Sequence, residues 1–256
     1  MDRLEKALEK SRQDRINAGM TPAGHGVVQA VPAYAEPKPD IVPDEALLER
    51  NRIIAHRTRT PEADIYRQLR TQILHIMQKS GLKTLAITSP HYGDGKTTVA
   101  INLGLSIALD LKQTVLMVDL DLRKPNLHQY MGAPPQPGLT DHLLRGVPLA
   151  DCLTRPAFER INTLPAGSAF DNSSELIGSP GMIALARELK ERYPDRLVIY
   201  DMPPVLAQDD PIAFLPQVDA VLVVVRDGIT RADDLKRSLH LLSGANVIGT
   251  VLNNCW

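Results

Sequence analysis

Cysteine is nearly absent: Cys152 and Cys255 are the only two in 256 residues. Two thiols make no disulfide framework and no cysteine-only zinc site, and they suit a reducing compartment. Aromatics are also scarce, ten in all (Phe 3, Tyr 6, Trp 1), which leaves a mainly aliphatic core and argues against a surface that stacks single-stranded bases. Neither charge sign dominates. Lys and Arg number 29 and Asp and Glu 30, for a net charge of −1, which argues against whole-surface binding to nucleic acid or anionic lipid but not against a local patch. No apolar run approaches the ~20 residues of a membrane span. The opening MDRLEKALEK is charged throughout and has no apolar signal core. The expectation is a cytoplasmic protein that reaches a membrane only through a partner and binds no nucleic acid.

What is present is 43 % hydrophobic residues, enough for a sizeable core. Residues 1–18 read as a short amphipathic helix, with Leu4, Ala7 and Leu8 at helical spacing. It is either a frayed, solvated tail or a docking helix for a partner. Residues 19–45 carry Pro22, Pro32, Pro37, Pro39 and Pro43 with Gly19, Gly24 and Gly26, the composition of a flexible linker. The remaining residues, 46–256, are expected to form the folded domain.

A helix is predicted from Thr60, as N-cap, and Pro61 to Gly81, with an apolar stripe of Ile65, Leu69, Ile73, Ile76 and Met77. From residue 83, strand and helix patterns alternate. Strands are predicted at 84–89, 114–120, 161–165, 197–201, 220–225 and 247–253, and helices at about 96–111, 181–192 and 231–243. The strands are near-continuous Val/Ile/Leu runs, as expected where both faces are covered. The fold class is α/β, a doubly wound, mainly parallel sheet.

In TLAITSPHYGDGKTTVAINLG, Gly93, Asp94, Gly95, Lys96, Thr97 and Thr98 fall where a strand ends and a helix begins. Backbone N–H groups at a helix start, with its dipole, suit a polyphosphate, and glycines allow close approach. Lys96 would reach the β/γ-phosphates and the Thr97 hydroxyl would bind Mg²⁺. The Walker A pattern departs at one position, because its first glycine is Pro90. Two further strands end in acids, Asp119 with Asp121 in VLMVDLDLRKP and Asp201 in LVIYDMPP. They lie at the carboxyl edge, where open α/β sheets bind ligands. Mg-ATP chemistry needs such carboxylates for the metal and for the attacking oxygen. Asp119 and Asp201 fit those roles. Asp121 fits as a catalytic group or as a cap, and Arg123 is set to pair with Asp121 or to contact a neighbouring subunit.

Together these segments resemble the bacterial tyrosine kinases of capsule and exopolysaccharide export, over about residues 62–254. LMVDLDLR matches that family's Asp-x-Asp-x-Arg motif, LPAGSAFDNSSELIGS (164–179) its Leu-Pro-Ala-Gly and Ser-Glu-Leu segment, DMPPVLAQDD its Walker B turn, and NVIGTVLNN its closing strand. The related partitioning and division-site ATPases carry an early loop lysine where this chain has His91, and that difference favours the kinase branch. His91 itself reads as a solvent-facing loop residue.

The resemblance implies a P-loop NTPase fold using ATP and Mg²⁺ and transferring phosphate to protein tyrosine. Lys96, Asp119, Asp121 and Asp201 would be catalytic, with Thr97, Asp119 and Asp201 at the metal. Asn253 would sit at the adenine edge and Arg226 near the base. Asp64, Arg67 and Arg70 match the spacing of a ring-assembly helix, with Asp in place of Glu. The implied partner is a membrane-embedded polysaccharide chain-length regulator. One feature is missing: no tyrosine follows Tyr200, so no closing tyrosine cluster is expected to be autophosphorylated. Tyr34 is the most accessible alternative acceptor, Tyr66 and Tyr130 are weaker, Tyr92 flanks the nucleotide, and Tyr200 reads as core. Alternatives left open are an ATPase switch that modifies no tyrosine, a scaffold that binds nucleotide without turnover, and a DNA-partitioning role.

Overall fold

β-Branched and aliphatic runs flanked by helices on both sides give one six-stranded, all-parallel sheet in the order β3-β2-β4-β1-β5-β6. The strands are β1 (Thr84–Thr88), β2 (Thr114–Asp119), β3 (Ile161–Leu164), β4 (Arg196–Asp201), β5 (Ala220–Arg226) and β6 (Val247–Asn253). Each lies within one residue of its expected bounds. The helices are α1 (Glu45–Arg50), α2 (Pro61–Lys79), α3 (Lys96–Ala108), α4 (Leu127–Tyr130), α5 (Leu139–Arg145), α6 (Leu149–Cys152), α7 (Ser173–Ile177), α8 (Pro180–Glu191), α9 (Asp210–Phe214) and α10 (Ala232–Leu241). This computed structural model describes residues 41–57, 60–134 and 137–254. The expected 1–18 helix, most of the 19–45 linker, Tyr34 and Cys255 lie outside the described residues. Ile41, at the end of that linker, is buried, and its N–H donates to Arg155 O at 3.2 Å.

Alternation persists inside the apolar strands, but both faces meet protein. Leu85 and Ile87 of β1, Val115 and Met117 of β2, and Leu197 and Ile199 of β4 join the core beneath α2 and α3. Their neighbours Ala86, Leu116, Val118, Val198 and Tyr200 join the opposite core with residues of α7 and α8. Continuous hydrophobic runs are the expected consequence of covering both faces.

Helix α2 starts as expected. Thr60 Oγ1 accepts the Ala63 N–H at 3.3 Å and Pro61 sits in the first turn. It stops at a left-handed Gly81 (φ 65°), with the Leu82 N–H bonded to Met77 O and the Gly81 N–H to Gln78 O. That Schellman closure favours glycine. The expected stripe needs one correction. Ile73 and Met77 are buried and Leu69 packs on the core, but Ile65 is 64 % exposed. The buried face begins at Ala63, and at 100° per residue Ile65 lies on the far side from it. Helix α3 also ends earlier than expected, at Ala108. There the Asp110 carboxylate accepts the Lys112 N–H at 3.0 Å, an Asx turn that competes with further helix.

The chain leaves β1 toward β2 on one side of the sheet centre and leaves β4 toward β5 on the other. The helix after β1 packs on one face of the sheet and the helix after β4 on the other, so the chain leaves the carboxyl ends of β1 and β4 toward opposite faces, the kind of edge at which open α/β sheets bind ligands. Asp119 and Asp201 are paired in register at that edge, beside Ile87 of β1.

Candidate nucleotide site

The loop from β1 to α3 is shaped by its own polar groups. Ser89 Oγ donates to His91 O at 2.8 Å, and Asp94 Oδ2 accepts the His91 N–H at 2.8 Å. The other oxygen, Asp94 Oδ1, accepts from Thr230 Oγ1 at 2.9 Å. The Asp94 side chain is thus turned into the protein, where it braces the loop. Gly93 and Gly95 take left-handed φ of 85° and 92°. A Cβ on Gly95 would overlap Asn253 Nδ2, so this position requires glycine on both counts. No side chain caps the N-terminus of α3, and its first amides stay available for an anion.

Behind the loop stand one ammonium and three carboxylates, all buried. Lys96 Nζ lies 3.1 Å from Asp121 Oδ2 and 3.6 Å from Asp201 Oδ1. Thr97 Oγ1 donates to Asp201 Oδ2 at 2.6 Å. Asp119 faces the following loop: Oδ1 accepts the Asp121 N–H at 3.1 Å, and Oδ2 accepts those of Asn126 and Leu127 at 3.1 and 3.0 Å. Burial pushes the Asp119 carboxyl up to about 7, with Asp201 adding and Lys96 opposing. Burial also raises Asp201, against Lys96 and the Thr97 hydroxyl. For Lys96, burial opposes the charge, but Asp201, Asp121 and Asp119 outweigh it and hold the ammonium above the ordinary lysine value.

These groups fit a Mg²⁺-nucleotide. Asp121 Oδ2 and Asp201 Oδ1 are buried oxygens that face only the Lys96 ammonium. Three carboxylates against one ammonium leave an excess of negative charge that a divalent cation would offset. Among the described residues no set of three His, Cys, Asp or Glu is placed to hold a metal alone. That suits Mg²⁺, which commonly takes one or two carboxylates and completes its shell with phosphate and water.

The remaining sequence candidates divide. Asn253 sits at the site, but its Nδ2 donates to Asp94 O at 2.9 Å, so it holds the phosphate loop. Arg226, its register partner on β5, is half-buried, and its N–H donates to Thr230 Oγ1 at 2.8 Å. Arg123 does not pair with Asp121. Its Nε donates to Ser173 Oγ at 2.8 Å, and Ser173 donates in turn to buried Asp210. That chain joins the Asp-x-Asp-x-Arg loop to the Ser-Glu-Leu segment and to the Walker B turn. His91 is about half exposed, with Nε2 3.2 Å from Asp234 Oδ2. On α2, Arg67 is ion-paired with Asp64. Arg70 reaches inward to Ser106 O at 2.8 Å, so the three do not form one free charged face.

Sequence reasoning missed Gln208. It is buried and donates to the Tyr92 hydroxyl, and its Nε2 lies 3.4 Å from Asp121 Oδ1. Lys124 Nζ stands 4.4 Å from the Tyr92 ring centroid, so Tyr92 ties the phosphate loop to the Asp-x-Asp-x-Arg loop. Gln208 lies inside the matched DMPPVLAQDD segment, the one signal that could have found it.

The CobQ/CobB/MinD/ParA nucleotide-binding domain profile matches residues 85–255. The chain belongs to this family. Within this nucleotide-binding family its likeness is to tyrosine kinases. It is 34 % identical over 187 residues to the putative tyrosine-protein kinase EpsB of Ralstonia nicotianae, over 73 % of this chain and 24 % of that protein. The tyrosine-protein kinase YwqD of Bacillus subtilis is 29 % identical over 208 residues, covering 80 % of this chain and 86 % of the relative. The kinase domain of the Escherichia coli tyrosine kinase ETK superposes with a TM-score of 0.71 at 28 % identity, over 83 % and 88 % of the two chains. The chain spans about a quarter of the length of EpsB. Among the described residues no helix is long and apolar enough to cross a membrane.

Proposed function

We propose that this chain is a Mg-ATP-dependent protein-tyrosine kinase that regulates capsule or exopolysaccharide polymerisation or export. The observation that carries the reading is the buried set Lys96, Asp121, Asp201 and Thr97 at the mouth of an uncapped helix. The loop amides and Lys96 hold the β- and γ-phosphates, where fixed donors act strongly because water is excluded. Thr97, Asp201 and Asp121 would hold Mg²⁺, with Asp119 behind them. When bound, the ion supplies charge stabilisation and a template for in-line transfer.

The acceptor is a tyrosine phenol. Its oxygen bonds to the γ-phosphorus, the bond from that phosphorus to the bridging oxygen breaks, and ADP leaves. Asp119 takes the phenolic proton, and a carboxyl poised near 7 suits a base at neutral pH. An open groove of about 670 Å³ lies between Lys124, Asn126, His128 and Gln129 on one side and residues 167–169 on the other. It borders the loop that Asp119 holds, and we assign the acceptor segment to it. The resemblance further supports assembly into homo-oligomers through the α2 face around the Asp64–Arg67 pair, with Arg70 turned inward to Ser106, and recruitment to the inner membrane by a chain-length regulator.

Phosphotyrosine mass spectrometry after incubation with Mg-ATP, beside a Lys96→Met control, tests this reading. Phosphotyrosine in the first sample alone supports it. Phosphate release without phosphotyrosine favours the ATPase switch.

A further inference from the structure

Of the six tyrosines, Tyr34 lies outside the described residues and four others are engaged. Tyr200 is fully buried. Tyr66 packs on the core beneath α2, and burial pushes its phenol up to about 12. Tyr130 packs on the same core, and the Tyr92 hydroxyl accepts from Gln208. Tyr193 differs. It lies in the turn between α8 and β4, is 39 % exposed, and its hydroxyl makes no hydrogen bond to the described residues.

Two arginines flank its ring. The Arg196 guanidinium carbon is 3.9 Å from the ring centroid and that of Arg192 is 5.9 Å away. Arg192 is paired with Glu188 at 2.9 Å, and nearby Lys190 with Asp219. Arg196 has no such carboxylate, and its Nε is buried without a hydrogen-bond partner. A buried cationic donor with no acceptor is costly. The ring face offsets part of that cost. A phosphate on the same ring would offset more, because it brings nearly two negative charges and three acceptor oxygens.

We propose that Tyr193 is a phosphorylation site of this protein, modified by a second copy of the chain, with Arg196 and then Arg192 as the seat of the phosphate. The proposal rests on the kinase reading above. It requires transfer between copies. β4 runs from Arg196 to Asp201, so Tyr193 lies at the edge of the sheet opposite its own nucleotide site, about 17 Å of strand away. In the transfer, the Tyr193 oxygen bonds to the γ-phosphorus of ATP held by the other copy. The bond to the bridging oxygen breaks, ADP departs with the electron pair, and the phenolic proton passes to a carboxylate of the catalysing copy.

Phosphopeptide mapping of the full chain with Mg-ATP is the test. The expected modified peptide carries Tyr193. Mixing a Lys96→Met chain, as acceptor, with a Tyr193→Phe chain, as donor, should place phosphate on Tyr193 of the former. Phe keeps the ring between the arginines, so that donor should remain folded. In an Arg196→Gln chain, an added tyrosine phosphatase should strip the Tyr193 phosphate several-fold faster. Phosphotyrosine elsewhere, at Tyr34 for example, with Tyr193 unmodified, overturns this inference and leaves the kinase reading standing. A Lys96→Met chain left unmodified at Tyr193 by the Tyr193→Phe donor, while the unsubstituted chain acquires phosphate there, overturns the transfer between copies, and an unchanged phosphatase rate overturns the arginine seat. Absence of phosphotyrosine from every sample overturns both readings.

Discussion

The Thr97 hydroxyl donates to Asp201 Oδ2 at 2.6 Å, across 104 residues of chain. One group opens α3 and the other closes β4. The bond fixes the hydroxyl and the carboxylate where the phosphate loop meets the sheet edge, and it leaves Asp201 Oδ1 facing Lys96. Replacing Thr97 with Ala removes a candidate metal ligand and the donor that orients Asp201. Affinity for Mg-nucleotide is expected to fall by about 10- to 100-fold, the range seen when partners of metal ligands are removed. Calorimetric titration with Mg-ADP measures it.

Gly95 and Asn253 form a second close pair, and substitutions there should be non-additive. Gly95→Ala must bear a left-handed φ of 92° and a Cβ that overlaps Asn253 Nδ2. A destabilisation of about 1–3 kcal/mol is expected, with loss of nucleotide binding. In Gly95→Ala/Asn253→Ala the overlap is relieved and only the φ penalty remains, so the double variant should unfold at higher denaturant than the sum of the singles implies. Urea denaturation of the four proteins checks this.

Nucleotide binding should depend on pH through Asp119. Burial pushes its carboxyl up to about 7, so below 7 it is mainly protonated, and a cation held in front of it by Thr97, Asp121 and Asp201 favours loss of that proton. Mg-nucleotide affinity therefore rises between pH 6 and 8, and binding at pH 6 releases protons. The same raised value means that the folded chain holds this proton between about 4 and 7 when the unfolded chain does not. The contribution of Asp119 to stability is therefore fully present at low pH and is lost as pH approaches 7. Calorimetry in buffers of different ionisation enthalpy counts the protons. Asp119→Asn should abolish the release.

Asp219 should matter for stability alone. Its carboxylate accepts from the Lys83 and Thr84 N–H groups at 2.8 and 3.1 Å and pairs with Lys190. It thereby pins the start of β1 to α8, away from the nucleotide site. Burial raises its pKa, but the Lys190 and backbone donors outweigh that and hold it below the ordinary value. Its contribution is thus present at neutral pH and lost as the solution becomes acidic enough to protonate it. Asp219→Ala should cost about 1–3 kcal/mol at pH 7, with Mg-nucleotide affinity unchanged.

The α2 surface separates two kinds of arginine. Arg67 and Asp64 pair beside the exposed Ile65, whereas Arg70 anchors α2 to the Ser106 carbonyl of α3. If this face joins copies, Ile65→Glu should shift sedimentation toward monomer without lowering the melting temperature by more than a degree or two. Arg70→Ala should instead lower the melting temperature. Analytical ultracentrifugation and thermal unfolding distinguish the two.

Much of this was legible from local pattern. Continuous aliphatic runs, glycine at the helix start and acids at strand ends depend on backbone geometry and burial, which act over a few residues. The six strands and the loop holding Lys96 and Thr97 were therefore readable in order. Ile65 shows the limit even within one helix. Its spacing fits an apolar stripe, but which side of α2 is buried depends on how the helix sits on α3 and the sheet.

The linear sequence by itself determined the alternation of strands and helices, the phosphate loop and the identity of its acids, because each is written in a short stretch of chain. Only the tertiary structure decided which acid meets which donor. It set Asp121 and Asp201 against Lys96, turned Asp119 to the Asn126 and Leu127 amides, sent Arg123 to Ser173, and left Arg196 against Tyr193 with no carboxylate. Those pairings depend on distances between groups many residues apart, which are fixed when the strands take their places in the sheet.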